Sequence, residues 1–309
     1  MKIVVYGTGG VGGYFGARLV QSGNEVHFIA RGEHLNAIQQ NGLQLYSPKG
    51  DYFVSPCHAV EVMDRITGID LILIAVKSWQ LETVAKEIKQ YLKAQTLVIS
   101  LLNGVENEQL LQRILPKENL LGGLCKVVSK IDSPGVIRHM SYEPSIVFGE
   151  LDSRITQRSH NIEQCFRTAG IRTKLTDNIQ GEQWAKFMFI TTISGLGALT
   201  RSTVGEMLAH KPVSDLMHNV ADEIKAVAEA LQIRLPVNIK EKQFELIRQQ
   251  PFETTSSLQR DIMAGRPSEI HAQTGAIVRL GEKTGVSTPV NNLIYSILYL
   301  QEQKARAAQ

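Results

Sequence analysis

Cysteine is scarce in this 309-residue chain. There are three, Cys57, Cys125 and Cys165, an odd number without metal-type spacing. That argues against a disulfide framework and a bound metal, and leaves them as small core or surface residues in a reducing compartment. A charge excess is missing too. The 33 basic and 30 acidic residues leave a net +3, too balanced for a nucleic-acid or anionic-membrane binder. No apolar run approaches the roughly 18 residues of a membrane span. There is no internal repeat and no low-complexity segment. The apolar N-terminal stretch runs straight into a glycine loop, so a signal peptide is not expected. These absences lead us to expect a soluble, cytoplasmic enzyme, long enough for two domains, that acts on a small molecule.

What is present begins with Gly7-Thr8-Gly9-Gly10-Val11-Gly12, a G-x-G-x-x-G directly after the apolar, β-branched run of residues 3–6. Residues 14–21 have helical character, Gly23 can end that helix, and residues 25–30 read as a second strand. This β-α-β order is what a dinucleotide-binding unit requires. Gly7 allows the turn out of the strand, Gly9 lets a pyrophosphate approach the backbone, and Gly12 lets helix and strand pack closely. Phosphates would then sit on the free N–H groups at the helix start. The second strand ends Phe28-Ile29-Ala30-Arg31-Gly32, with Arg31 where an NAD site usually has an acid. A guanidinium suits a 2′-phosphate, so NADP is expected over NAD. Glu33 is expected in the first turn of the next helix. The alternative is that Arg31 is a solvated loop residue.

The α/β pattern continues. Strands are expected at 70–76, 96–102, 120–128, 136–140, 145–149 and 172–175, and helices at 83–92, 106–115 and 155–168. Ser133-Pro134-Gly135 and Glu143-Pro144 read as turns. After about residue 178 the alternation stops. Six helices are expected, at 182–194, 213–231, 239–249, 256–264, 270–283 and 290–304, with Pro212, Pro236, Pro251, Pro267 and Pro289 near their starts. The fold class is therefore α/β, with a Rossmann-type dinucleotide-binding domain over 1–178 and an all-α domain over 179–309. The second domain should supply the other wall of a substrate cleft. Residues 290–300 could line a dimer surface or fill the core. Lys77 and Asn103 follow the strands at 70–76 and 96–102, where ligands bind in open α/β sheets. Each could equally be a solvated lysine or an Asn-Gly turn.

Together these residues resemble the ketopantoate reductase family (2-dehydropantoate 2-reductases) over essentially the whole chain. The likeness is carried by the glycine loop, Ile29-Ala30-Arg31-Gly32, Val76-Lys77-Ser78-Trp79-Gln80, Leu102-Asn103-Gly104, Gln183-Trp184-Ala185-Lys186, the run from Thr255 to Ile262, and Gly265-Arg266-Pro267-Ser268-Glu269-Ile270. The resemblance implies NADPH-dependent reduction of ketopantoate to pantoate, for pantothenate and coenzyme A synthesis. It implies that Lys186 is the catalytic lysine and that Ser257 binds substrate. It also implies that Asn103 contacts both ligands. Glu269, Lys77 and Ser129 join Gly7, Thr8, Gly9, Gly10, Val11, Gly12 and Arg31 as cofactor contacts. The chemistry suits these types: hydride addition to a ketone builds negative charge on oxygen, which needs a donor and finally a proton.

The chain departs from the family's pattern at the substrate side. Ile190 and Ser194 stand four and eight residues beyond Lys186, where the family usually has asparagines on one helix face. Ser194 is kept as a substrate contact with a shorter reach. His271 and Thr274 replace Asp and Asn, and Thr254 replaces an asparagine. A pocket with fewer amide donors discriminates less for polar substrates. Two alternatives to ketopantoate reduction therefore stay open: a related reductase of a more apolar 2-keto acid or ketone, and a non-catalytic NADP-binding sensor.

Overall fold

The computed structural model describes residues 1–307, with residues 141 and 142 described by their backbone alone. Residues 308 and 309, the end of the expected helical domain, lie outside the described residues. The chain forms two compact units. One comprises Met1–Leu102 with Asn107–Ile179, and the other Asn103–Glu106 with the chain from Gln180 onward.

The first unit is built on one ten-stranded sheet. Its strands are β1 (Lys2–Tyr6), β2 (Glu25–Ile29), β3 (Leu43–Tyr46), β4 (Tyr52–Val54), β5 (His58–Val60), β6 (Leu71–Ile74), β7 (Leu97–Ser100), β8 (Leu120–Ser133), β9 (Val136–Glu150) and β10 (Arg172–Leu175). They lie in the order β4-β3-β9-β8-β7-β6-β1-β2-β5, with β10 also on β9. Only β3–β4 and β8–β9 pair antiparallel. The helices are α1 (Gly10–Gln21), α2 (Gly32–Asn41), α3 (Leu81–Ile88), α4 (Asn107–Gln112) and α5 (Gln157–Thr168). The period-2 alternation of a strand sorts the apolar residues into two layers. Ile3, Val5, Leu71 and Leu73 meet Phe15 of α1, Ile38 of α2 and Phe166 of α5. Val4, Tyr6, Ile72 and Ile74 meet Val84 and Ile88 of α3 and Leu111 of α4. This two-faced burial explains why β1, β6 and β7 read as continuous apolar runs. The chain passes from β1 to β2 on one side and crosses to β6 on the other. The sheet therefore has a topological switch point at the carboxyl ends of β1 and β6, where such folds bind ligands.

Two expectations in this unit are corrected. Residues 136–140 and 145–149 are parts of the single strand β9, not two strands separated by a turn at Glu143-Pro144. The pairing of β8 with β9 slips between Val128↔Ser141 and Lys126↔Ser145. Pro144 falls in that bulge, so its missing N–H costs no ladder bond. The short strands β3, β4 and β5 had no expected counterpart, because three or four residues carry too little periodicity to stand out.

The second unit is helical. It contains α6 (Ile179–Thr200, entering from the first unit's last residue), α7 (Val204–Ala209), α8 (Lys211–Ala230), α9 (Ile239–Arg248), α10 (Ser257–Met263), α11 (Thr274–Thr284) and α12 (Pro289–Ala307). Its core packs Phe187, Met188 and Leu196 of α6 with Ile224 of α8, Phe244 of α9, Ile277 of α11 and Leu298 of α12. Each such side chain contributes roughly 1.5–3 kcal/mol on burial. The helix α7 was not expected, although Thr203 and Glu206 form a capping box at its start. The helix expected from 270 begins at Thr274 instead. Residues 269–273 form tight turns in which Ala272 and Gln273 N–H both donate to the Glu269 carbonyl. The helix α12 turns Ile294 and Leu298 to the core and leaves Leu293, Ile297 and Leu300 exposed. No helix among the described residues is long and apolar enough to cross a membrane.

Candidate active site

The glycine loop lies at the switch point of the first unit and is fixed from several sides. Gly7 and Thr8 N–H both donate to the Ile29 carbonyl at the end of β2, and the buried Thr8 hydroxyl donates to the same oxygen at 2.9 Å. Gly7 has φ +100°, and a Cβ there would lie 2.8 Å from the Ala75 carbonyl oxygen, beyond the end of β6. The left-handed backbone and the close approach both call for glycine. A Cβ on Gly12 would meet the Gly7 carbonyl oxygen at 2.0 Å, and one on Gly10 would meet the Ser129 carbonyl oxygen at 2.4 Å. Gly10 and Ser129, far apart in sequence, are thus brought together, and the Ser129 hydroxyl is buried without a protein partner. Gly9 differs: a Cβ there would meet nothing within 4 Å. Helix α1 starts at Gly10, with Val11 in its first turn, so its unpaired N–H groups lie beside that open space. The residues fit a pyrophosphate on the loop.

Arg31 is exposed and stands at the N-cap of α2, with Glu33 in the first helical turn. Nearby, the Tyr6 hydroxyl donates to the Glu87 carboxylate at 2.6 Å. Burial, with Glu87, raises the phenol's pKa, and Arg31 opposes the shift. Lys77 caps the short turn Ser78–Gln80 after β6, its ammonium 5.8 Å from the centre of the Trp79 ring.

His34 was not picked out from the sequence. The Gly135 N–H donates to its Nδ1 at 3.0 Å, so Nε2 carries the proton and donates to the Thr8 carbonyl at 2.8 Å. One imidazole therefore ties the glycine loop to the β8–β9 turn. Burial lowers its pKa below the ordinary 6.5, opposed by the bond to Thr8. A depressed pKa means that His34 contributes stability above 6.5, which is lost as pH falls through the folded-state value. We expect His34→Ala to melt lower at pH 7.5 and to lose less on acidification to pH 5.5. Identical acid slopes in variant and parent, by scanning calorimetry, would count against this role.

The other predicted residues lie in the second unit. The segment Asn103–Glu106 belongs to it. Lys186 is half-buried on α6, two turns before Ser194, which is fully buried. Ser257, half-buried, opens α10 next to the N-cap Ser256, whose hydroxyl accepts from Gln259 N–H at 3.0 Å. Glu269 is 7% exposed, in the turn before α11. Two of the positions that depart from the family's pattern, Ser194 and Thr274, are buried among other polar side chains. Thr191, Thr192, Ser194, Gln273 and Thr274 are each at most 2% exposed, and their side-chain polar atoms lack protein partners. A Cβ on Gly195 would lie 3.1 Å from Thr274 Oγ1, which places α6 against the start of α11. Arg279 of α11 also escaped the sequence reading. It pairs with Glu106 at 2.5 Å and donates to the His271 carbonyl at 3.1 Å, joining the Asn103 segment to the Glu269 turn. His271 Nδ1 contacts Tyr295 Oη at 2.8 Å, and burial with Arg279 lowers the imidazole's pKa.

Comparison with known proteins places this architecture. Residues 3–153 match the family model of ketopantoate reductase PanE/ApbA, and residues 178–302 match that of its C-terminal part. An uncharacterized oxidoreductase, YkpB, of Bacillus subtilis is 29% identical over 98% of this chain and 99% of its own. A ketopantoate reductase structure from Ralstonia eutropha JMP134 superposes with TM-score 0.91 at 31% identity, covering 99% of this chain and all (100%) of the other. The ternary structure of D-mandelate dehydrogenase with NADH and anilino(oxo)acetate superposes with TM-score 0.90 at 25% identity, with 99% and 100% coverage. The chain belongs to the ketopantoate reductase PanE/ApbA family and is an oxidoreductase.

Proposed function

We propose that this protein reduces a 2-keto acid with NADPH, and that the acid is 2-dehydropantoate, giving pantoate for pantothenate and coenzyme A synthesis. The observation that carries the reading is one chain holding both a phosphate-ready glycine cradle and a half-buried lysine on α6. Bound there, the dinucleotide supplies the hydride. The N–H groups at the start of α1 hold its phosphates, and Gly9 leaves them room. Arg31 takes the 2′-phosphate, Lys77 and Ser129 are further cofactor contacts, and Asn103 touches cofactor and substrate. The Lys186 ammonium donates to the keto oxygen and gives it the proton as charge builds there. Ser257 and Ser194 hydrogen-bond the substrate, and Glu269 accepts from the lysine or from a substrate hydroxyl.

A second reading, a reductase of an aryl or otherwise more apolar 2-keto acid, is favoured by Ile190, which cannot hydrogen-bond. The likeness to D-mandelate dehydrogenase supports it as well. The test is oxidation of NADPH and of NADH with ketopantoate beside a panel of aliphatic and aryl 2-keto acids. Preference for ketopantoate supports the first reading, preference for an aryl acid the second, and binding without any turnover overturns both.

The cofactor choice has its own test. Arg31→Ala should weaken NADPH far more than NADH, since a charge-assisted pair is worth roughly 1.5–3 kcal/mol, about tenfold to a hundredfold in affinity. Fluorescence titration with both dinucleotides decides it. Equal losses, or a parent that prefers NADH, would mean that Arg31 does not read the phosphate.

A further inference from the structure

The turn that presents Glu269 is held by a buried carboxylate from the end of the chain. Glu302, on α12, is 2% exposed, and Ser268 is 1% exposed. One carboxylate oxygen of Glu302 accepts from the Ser268 N–H at 2.7 Å and from its hydroxyl at 2.6 Å. The other pairs with Arg306 Nε at 2.7 Å. The Ser268 hydroxyl in turn accepts from the Ile270 N–H at 3.3 Å, so the contacts bracket Glu269 on both sides. Beyond the bracket, Arg279 holds the His271 carbonyl.

Stability alone is a poor explanation for such a group. Burying a carboxylate is costly, and its i,i+4 pairing with the exposed Arg306 offsets that cost only in part, so well-packed apolar residues of the same volume would often serve stability as well. What Glu302 uniquely does is fix two donors of the residue next to Glu269. We propose that Glu302 is a positioning residue: acting through Ser268, it sets the backbone from which the Glu269 carboxylate meets its ligand. The last turns of α12 are then part of the catalytic apparatus without touching substrate. The inference rests on the role given to Glu269 above.

The test uses the full chain with Glu302→Gln and Ser268→Ala, each alone and combined with Glu269→Gln. Steady-state NADPH oxidation is read together with amide hydrogen exchange over residues 268–273. A misplacement of about an ångström can cost up to 10²-fold, so Glu302→Gln should lower kcat/KM by about tenfold or more. Ser268→Ala, which keeps the backbone bond, should lower it less and serves if Glu302→Gln fails to fold. Neither should add a further loss in the Glu269→Gln background, because both act through that carboxylate. Exchange over 268–273 should quicken in both. Equal factors in the two backgrounds, or unchanged exchange, would overturn the proposal and leave Glu302 purely structural. A parent that turns over no keto acid would instead overturn the proposed function, and exchange alone would then decide whether Glu302 holds the turn.

Discussion

Lys186→Ala should lower kcat by about 10² to 10³, the usual cost of removing one donor to a developing oxyanion. The lysine is placed to lose activity without losing the fold. It is half-buried on α6, whereas Trp184, Phe187 and Met188 supply that helix's core packing. Its removal leaves that packing in place, so the variant should still fold, which a cooperative melting transition would show. NADPH affinity should also hold, since the ammonium acts on the keto oxygen and not on the phosphates. Single-turnover mixing of enzyme–NADPH with keto acid isolates the chemical step from product release. Small primary amines should partly restore the rate by entering the space left behind. A variant with near-parental single-turnover rate would show that Lys186 is not the acid, and the reading of a non-catalytic dinucleotide-binding protein would gain ground.

How far the sequence could be read depended on whether the information was local. The strand–glycine loop–helix–strand start is local: an apolar run buried on both sides, a loop in which Gly7, Gly10 and Gly12 each answer a steric need, and a second strand. Hence the α/β class and the helical second half were legible. Where reading failed, a distant partner had changed the meaning of a local signal. Pro144 looks like a break until β8 supplies a bulge to hold it. The six residues of α7 are too few for a periodic pattern, and only the Thr203–Glu206 capping box could have revealed them. The start of α11 was misplaced because the carbonyls of Glu269 and Ile270 are used in turns. The same rule holds for side chains. His34 becomes a tie for the glycine loop only when Gly135, 101 positions away, supplies its N–H. Arg279 reaches Glu106 across 173 positions. No spacing in a single sequence encodes those meetings. Motifs can nominate the groups that face ligand, but they miss the groups that hold them in place.

Within the glycine loop, the structure separates glycines that the packing requires from one whose Cβ would enter open space, and that difference gives the second large expected effect. A Cβ on Gly12 would stand 2.0 Å from the Gly7 carbonyl oxygen and 2.9 Å from Val5 Cγ1, so backbone must move. Gly12→Ala should destabilise the protein by about 1–3 kcal/mol, as overpacking does, and lower its melting temperature by several degrees. It should also weaken NADPH, because the displaced loop no longer aims its N–H groups. Gly9 has φ −75°, an ordinary value for any residue, and its Cβ would enter open space. Gly9→Ala should therefore melt like the parent. Yet that open space lies at the start of α1, where the pyrophosphate is expected to approach, and a methyl group there should cost tenfold or more in NADPH affinity, about 1.4 kcal/mol. Melting curves with and without NADPH, together with fluorescence titration, read both variants. Unaltered affinity in Gly9→Ala would mean that the phosphates do not cross Gly9. Unaltered melting in Gly12→Ala would mean that the loop can yield where the geometry says it cannot.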